Sequence, residues 1–125
     1  MEPLIGELRM FAGDFEPWGW CVCDGRAMAI SDNLMLFSVI GTTYGGDGAK
    51  WFHLPDLRGR LPLGTGDGPA QRSYPLARAY GRDRLTAPAQ VADGSPLRGS
   101  DGTNLMPYVA VNWIIAIRGS YPQRD

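Results

Sequence analysis

The sequence predicts a β-dominated, irregular α+β domain with short strands, one short helix and long Gly/Pro-rich loops. Three observations carry that expectation. Seventeen glycines and ten prolines interrupt the 125 residues so often that long helices are excluded and short strands joined by shaped turns are favoured. Residues 5 to 11 and 109 to 117 carry the β-branched and apolar content of strands, with Arg9 and Arg118 near their solvent ends. One stretch alone has helical spacing, running from Ser31 to Gly41.

Taken in order, residues 5 to 11 form an opening strand expected to pair with, or lie close to, the closing strand at 109 to 117. Trp20 to Cys23 reads as a second strand, ended by the tight-turn dipeptide Asp24-Gly25, whose carboxylate is expected to bond local amides. Cys21 and Cys23 are separated by one residue and so point to one face, too close in sequence for an ordinary loop-closing bridge. They read as two small buried hydrophobes. A metal pair is the alternative, but His53 is the single histidine and no second cysteine pair completes four ligands. Ser31 is placed to cap the helix, Leu34, Phe37 and Ile40 to share its inner face, and Gly41 to close it in a left-handed conformation. Gly45-Gly46-Asp47-Gly48-Ala49-Lys50 has the wrong glycine spacing for a phosphate loop, and its lysine precedes Trp51 instead of Ser or Thr, so it reads as a turn. From residue 64 to 107 Gly, Pro, Ser, Asp and Arg dominate, and the core is expected to stop there.

Length bounds the chain to one domain, burying about two-thirds of its unfolded surface in a single modest core. Twelve basic against thirteen acidic residues leave a net charge of -1, which disfavours nucleic acid or an anionic membrane as partner. No apolar run approaches the ~20 residues of a membrane span, and the N-terminus lacks a signal-peptide pattern. A soluble chain is expected, exported, if at all, by another route. Because Met1 stands only a few residues before the first strand, no repetitive shaft is expected, and attachment to any assembly would be non-covalent.

The richest stretch is 51 to 66, Trp-Phe-His-Leu-Pro-Asp-Leu-Arg-Gly-Arg-Leu-Pro-Leu-Gly-Thr-Gly, which alternates apolar anchors with turn residues and charged forks. It resembles the signature of the phage tail collar domain and of the bacterial "microcystin-dependent" proteins built on it. Gly6 to Gly13, the Pro17-Trp18-Gly19-Trp20-Cys21-Val22-Cys23-Asp24-Gly25 turn, the helix with its glycine loop, and the blocks 104 to 108 and 112 to 122 are similar to that family in the same order. The resemblance implies a non-enzymatic tail-fibre tip or collar module, trimeric, with residues 1 to 66 and 104 to 122 as its base and 67 to 103 as a projecting, variable loop. It further implies a virion or cell-surface location, with a cell-surface glycan, lipopolysaccharide, or a fibre, tail or pilus component as partner. Relatives carry a His-x-His stretch whose histidines bind metal along the trimer axis in some tail fibres. No such stretch lies between Gly81 and Asn104, so no metal is carried over, and no cofactor is implied.

Two groups of side chains are candidates for function. Asp24, Asp56, Arg58 and Arg60 surround the central motif. Two guanidiniums two residues apart offer forks to a phosphate or carboxylate, but charges punctuated by Pro55, Gly59 and Pro62 also suit a buried turn that satisfies its own backbone, with Asp56 a partner for either arginine. Arg72, Tyr74, Tyr80, Arg82 and Arg98 interleave aromatics and cations in the projecting segment, the mixture that adhesive surfaces use, or else are solvated loop residues. Trp18, Trp20, Trp51 and Trp113 could stack on sugars, yet all lie in family-like blocks, which argues for core or subunit packing in at least three. A polysaccharide hydrolase would need an ordered carboxylate pair, and nothing orders any two of Asp67, Asp83, Asp93 and Asp101. His53 with Cys21 or Cys23 is the one nucleophile–base combination available, and a structural histidine is the competing reading.

Overall fold

The computed structural model describes residues 2 to 68, 73 to 81 and 107 to 124. Short elements follow one another: β1 (Leu8–Phe11), β2 (Trp20–Val22), β3 (Ala27–Ala29), a 3-10 turn (Ile30–Asp32), α1 (Leu34–Ile40), β4 (Trp51–His53), β5 (Gly66–Asp67), β6 (Ser73–Tyr74) and β7 (Asn112–Ala116). The fold is strand-dominated, with three small sheets and one short helix among the described residues. The chain divides into two compact units, the first comprising Met1–Ala77 with Val111–Asp125 and the second Arg78–Ala110. All the strands and α1 belong to the first.

The opening and closing strands do pair. β7 lies between β1 and β2 and is antiparallel to both, with Leu8 opposite Ile115 and Cys21 opposite the same residue. A central strand covered on both faces loses the apolar–polar alternation and reads as a continuous apolar run. That is why Ile114, Ile115 and Ala116 are all buried. Cys21 and Ile115 share the inner face, where Ile5, Cys23, Leu36, Phe52 and Leu54 complete the core, while Leu8 at the start of β1 stays exposed. The two cysteines are buried and free, as small hydrophobes.

The helix departs from its expected register. Ser31 falls in the 3-10 turn, exposed, and the residue before α1 is Asn33, which makes no side-chain cap and donates instead to the Ala29 carbonyl at 3.0 Å. The residue turned fully inward is Leu36, flanked by the half-buried Phe37, Val39 and Ile40, while Leu34 is 64% exposed. The short 3-10 turn delays the helix start and so rotates the inner face. Phe37 then meets Phe52 of β4 with ring centroids 5.4 Å apart, locking helix to hairpin. Gly41 closes the helix with φ of +54°, its amide donating to the Phe37 carbonyl at 2.7 Å.

Two glycines are dictated by close approach. Gly46 has φ of +109°, and a Cβ there would stand 2.5 Å from the Phe52 Cα and from the Trp51 carbonyl oxygen. Gly119 has φ of +145° and faces the Pro3 carbonyl, which accepts from Ser120 N at 2.9 Å, while Ile5 N donates to the Ser120 carbonyl. The N-terminal segment is thereby fastened to the chain that leaves β7.

Phe52 is fully buried between helix and sheet. Phe52→Ala is expected to lower unfolding free energy by about 3–5 kcal/mol in urea titrations.

Candidate functional site

The Cys-Asp-Gly turn and the Leu-Pro-Asp-Leu-Arg motif run antiparallel against one another. Leu57 N donates to the Cys23 carbonyl at 3.0 Å, Gly25 N to Pro55 at 3.2 Å, and Leu54 N to Arg26 at 3.0 Å, with Asp24 opposite Asp56 as a bridge pair. Leu54 and Pro55 are buried, but the carboxylates and guanidiniums that follow point outward. The turn is therefore buried on its apolar side only, and Asp56, Arg58 and Arg60 are exposed, contrary to the expectation of a buried charged turn.

Each aspartate is bound by the arginine two residues on. Asp24 takes Arg26 Nε and Nη2 at 3.0 Å each and the Arg26 amide at 3.2 Å. Asp56 takes Arg58 Nε at 2.9 Å, Nη2 at 2.8 Å and the Arg58 amide at 3.2 Å. Both are Asx turns, in which the aspartate carboxylate takes the amide two residues on together with that residue's guanidinium. Arg26 also pairs with Glu16, whose carboxylate accepts from Val22 N. The Arg26 fork holds the Asp24 carboxyl below the usual range. The Arg58 fork lowers Asp56 from 3.8 to about 2. The nearby charge of Arg60 adds to that depression. Both forks are thus engaged within the chain, leaving a charge-balanced surface network.

Asp47 holds the glycine turn together, its Oδ1 accepting from the amides of Ala49, Lys50 and Trp51 at 2.9–3.0 Å. These bonds lower its pKa. Beside it lies an open depression of about 520 Å³ formed with Ala27, Gly46, Trp51 and His53. His53 Nδ1 is 2.9 Å from the Gly25 carbonyl, which fixes the ring to the turn. Burial, then the charge of Asp24, pushes the Cys23 thiol up to about 12. Burial, then Glu16, raises Cys21 as well. Both stay protonated, the wrong form for nucleophile or metal ligand. Among the described residues no three His, Cys, Asp or Glu side chains are grouped to hold a metal ion.

Of the adhesive candidates, Arg72, Arg82 and Arg98 lie outside the described residues. Tyr74, half-buried, pairs with Gly66 across the β5–β6 ribbon, and Thr65 Oγ1 donates to its carbonyl at 2.7 Å. Tyr80 belongs to the second unit, where the Arg78 guanidinium stacks over its ring at 5.1 Å. Asp67 is exposed in β5, and Asp83, Asp93 and Asp101 lie outside the described residues.

The tryptophans divide between core and surface. Trp113 packs against the core and Trp20 is half-buried, whereas Trp18 and Trp51 are exposed. Packing within the chain therefore takes two of the four. Sequence reasoning also missed two cation–aromatic stacks, Arg9 over Trp20 and Arg118 over Trp18, each at 5.2 Å. The arginines were visible as strand-end residues, but their partners follow only from the β1-β7-β2 order.

Residues 6–62 match the family model described as the Phage Tail Collar Domain. The chain is also 38% identical over 65 residues to the short tail fiber protein gp12 of Enterobacteria phage T4, a match taking in 51% of this chain and 12% of that protein. The family resemblance read from the motifs is borne out over the first half of the chain. The block at 104 to 122 lies outside the family match.

Because Asp56 titrates lower folded than its ordinary 3.8, its ionised form contributes stability above that pH and loses it as pH falls toward 2. Thermal melts of wild type and Asp56→Asn should therefore differ at neutral pH and converge at pH 2. The side chains are largely exposed, which holds the difference below about 1 kcal/mol.

Proposed function

We propose that this chain is a non-enzymatic tip module of a phage-tail-fibre-like assembly, on a virion or a cell-surface appendage. It works as a symmetric homotrimer and touches a cell-surface glycan or lipopolysaccharide through the segment 67 to 103. The observation that carries the reading is the collar match over residues 6–62, joined by similarity to a short tail fiber protein.

The surface supports an oligomer on physical grounds. Met10, Phe15, Leu61 and Leu63 are each more than 60% exposed in the isolated chain, and apolar side chains in such numbers mark surfaces buried by association. Multivalency then suits weak glycan contacts, since linked sites raise avidity without new chemistry. Tyr74 and Tyr80 supply contact area in the proposed tip, with Arg72, Arg82 and Arg98 as its cations.

A structural cap or assembly component without receptor binding is the second reading. The self-contained Asp24–Arg26 and Asp56–Arg58 forks favour it, since they leave the richest motif engaged in holding its own turn.

Light scattering coupled to size exclusion should give a mass near three chains, unchanged by a chelator. A stable monomer would remove the oligomer from the reading. The combined substitution Arg72→Ala, Tyr74→Ala and Arg82→Ala should abolish binding to target cells while the trimer survives. Retained binding would overturn the tip assignment, and capture of a tail or pilus component in its place would support the cap.

A further inference from the structure

We propose that Trp18 and Arg118 form a platform for acidic saccharides, with a pyranose ring stacked on the indole and its carboxylate held by the guanidinium. The inference rests on the reading of the domain as a module that meets carbohydrate surfaces, but it assigns a site in the base instead of the projecting segment.

Trp18 is 83% exposed, an unusual cost for the largest apolar side chain. Arg118 stands over its ring at 5.2 Å. Among the described residues Arg118 has no carboxylate within ion-pairing distance, whereas Arg9 and Arg58 each have one and Arg26 has two. A guanidinium presents five donors in a rigid fork, and stacking on an aromatic face leaves its edge free to take a carboxylate. Charge complementarity therefore points to an anion. Asp32 borders the same shallow groove as Arg118, about 390 Å³, without pairing to it.

The platform is held in place before any ligand arrives. The Gly19 carbonyl accepts from Ile117 N at 2.9 Å and Arg118 N at 3.3 Å, which holds together the segments just before β2 and just after β7 that carry Trp18 and Arg118. Gly19 has φ of +84°, the left-handed region that glycine adopts freely, and its position lies against the Arg118 side chain. Preorganisation of this kind reduces the entropy lost on binding.

A sugar suits the indole because Trp18, 83% exposed, presents a flat aromatic surface beside the guanidinium to the C–H side of a pyranose. The second stack makes a useful contrast. Trp20 is half-buried and Arg9 is neutralised by Glu7, so that pair covers Ala116 and Ile114 of β7 and leaves no anion site.

The test is ¹⁹F NMR of the full chain labelled with 5-fluorotryptophan, the Trp18 signal being assigned with Trp18→Phe. Titrants are a galacturonate tetramer, maltotetraose, inorganic phosphate and a tetraglutamate peptide. The Trp18 signal should shift saturably with the galacturonate tetramer, and Arg118→Gln should weaken that binding by about tenfold. If Arg118→Gln fails to fold, Arg118→Lys replaces it and should weaken binding in the same direction. An unmoved Trp18 signal, or an equal response to maltotetraose, phosphate or tetraglutamate, overturns the proposal. Wild-type cell binding with an unmoved Trp18 overturns this site alone. A trimer that binds no cells yet shifts Trp18 with galacturonate overturns the tip reading and leaves the platform standing.

Discussion

The backbone pairing between the Cys23-to-Arg26 turn and the Leu54-to-Leu57 motif is the constraint from which the rest of the base follows. It is held by three amide–carbonyl bonds and one histidine ring. Pro55 contributes a carbonyl without needing a donor partner, which suits a segment that pairs through one edge only. Once the turn is seated, Leu54 enters the core beside Cys23, β3 and β4 meet in register, and Phe52 reaches α1. An irregular domain can thus replace long ladders with a few shaped junctions, provided each junction satisfies its own backbone.

The charged side chains at that junction obey a local economy. Each aspartate is matched by the arginine two positions on, so the ion pairs form along the chain and ask nothing of distant segments. Exposed pairs of this kind contribute little to net stability. Their effect is conformational: Asp24 and Asp56 also accept the amide of their arginine, which fixes the strand where it leaves the turn.

Much of the fold was legible because it is written in local chemistry. The terminal strands, the buried cysteines, the glycine turn at Asp47 and the helix closed by Gly41 all follow from residue type and spacing. The errors arose where tertiary context decides. Leu34 and Leu36 are equally apolar, and only the position of the 3-10 turn determines which faces inward. The Asp56 motif looks buried because its leucine and proline are, yet its charges alternate to the other side. The Trp18–Arg118 stack joins residues a hundred positions apart, beyond any spacing argument, and depends on the carbonyl of Gly19.

β7 is the central strand of its sheet, yet it comes almost last in the chain, and the Asn112 side chain reaches back 99 positions to the Gly13 carbonyl. The chain from β1 through β7 must therefore be synthesised before the sheet can close, since neither β1 nor β2 has its hydrogen-bonding partner until then. Long-range closure of this kind slows folding and prolongs exposure of the apolar strands. Sheet closure thus waits for β7, whose buried Ile114, Ile115 and Ala116 stay uncovered until β1 and β2 meet it.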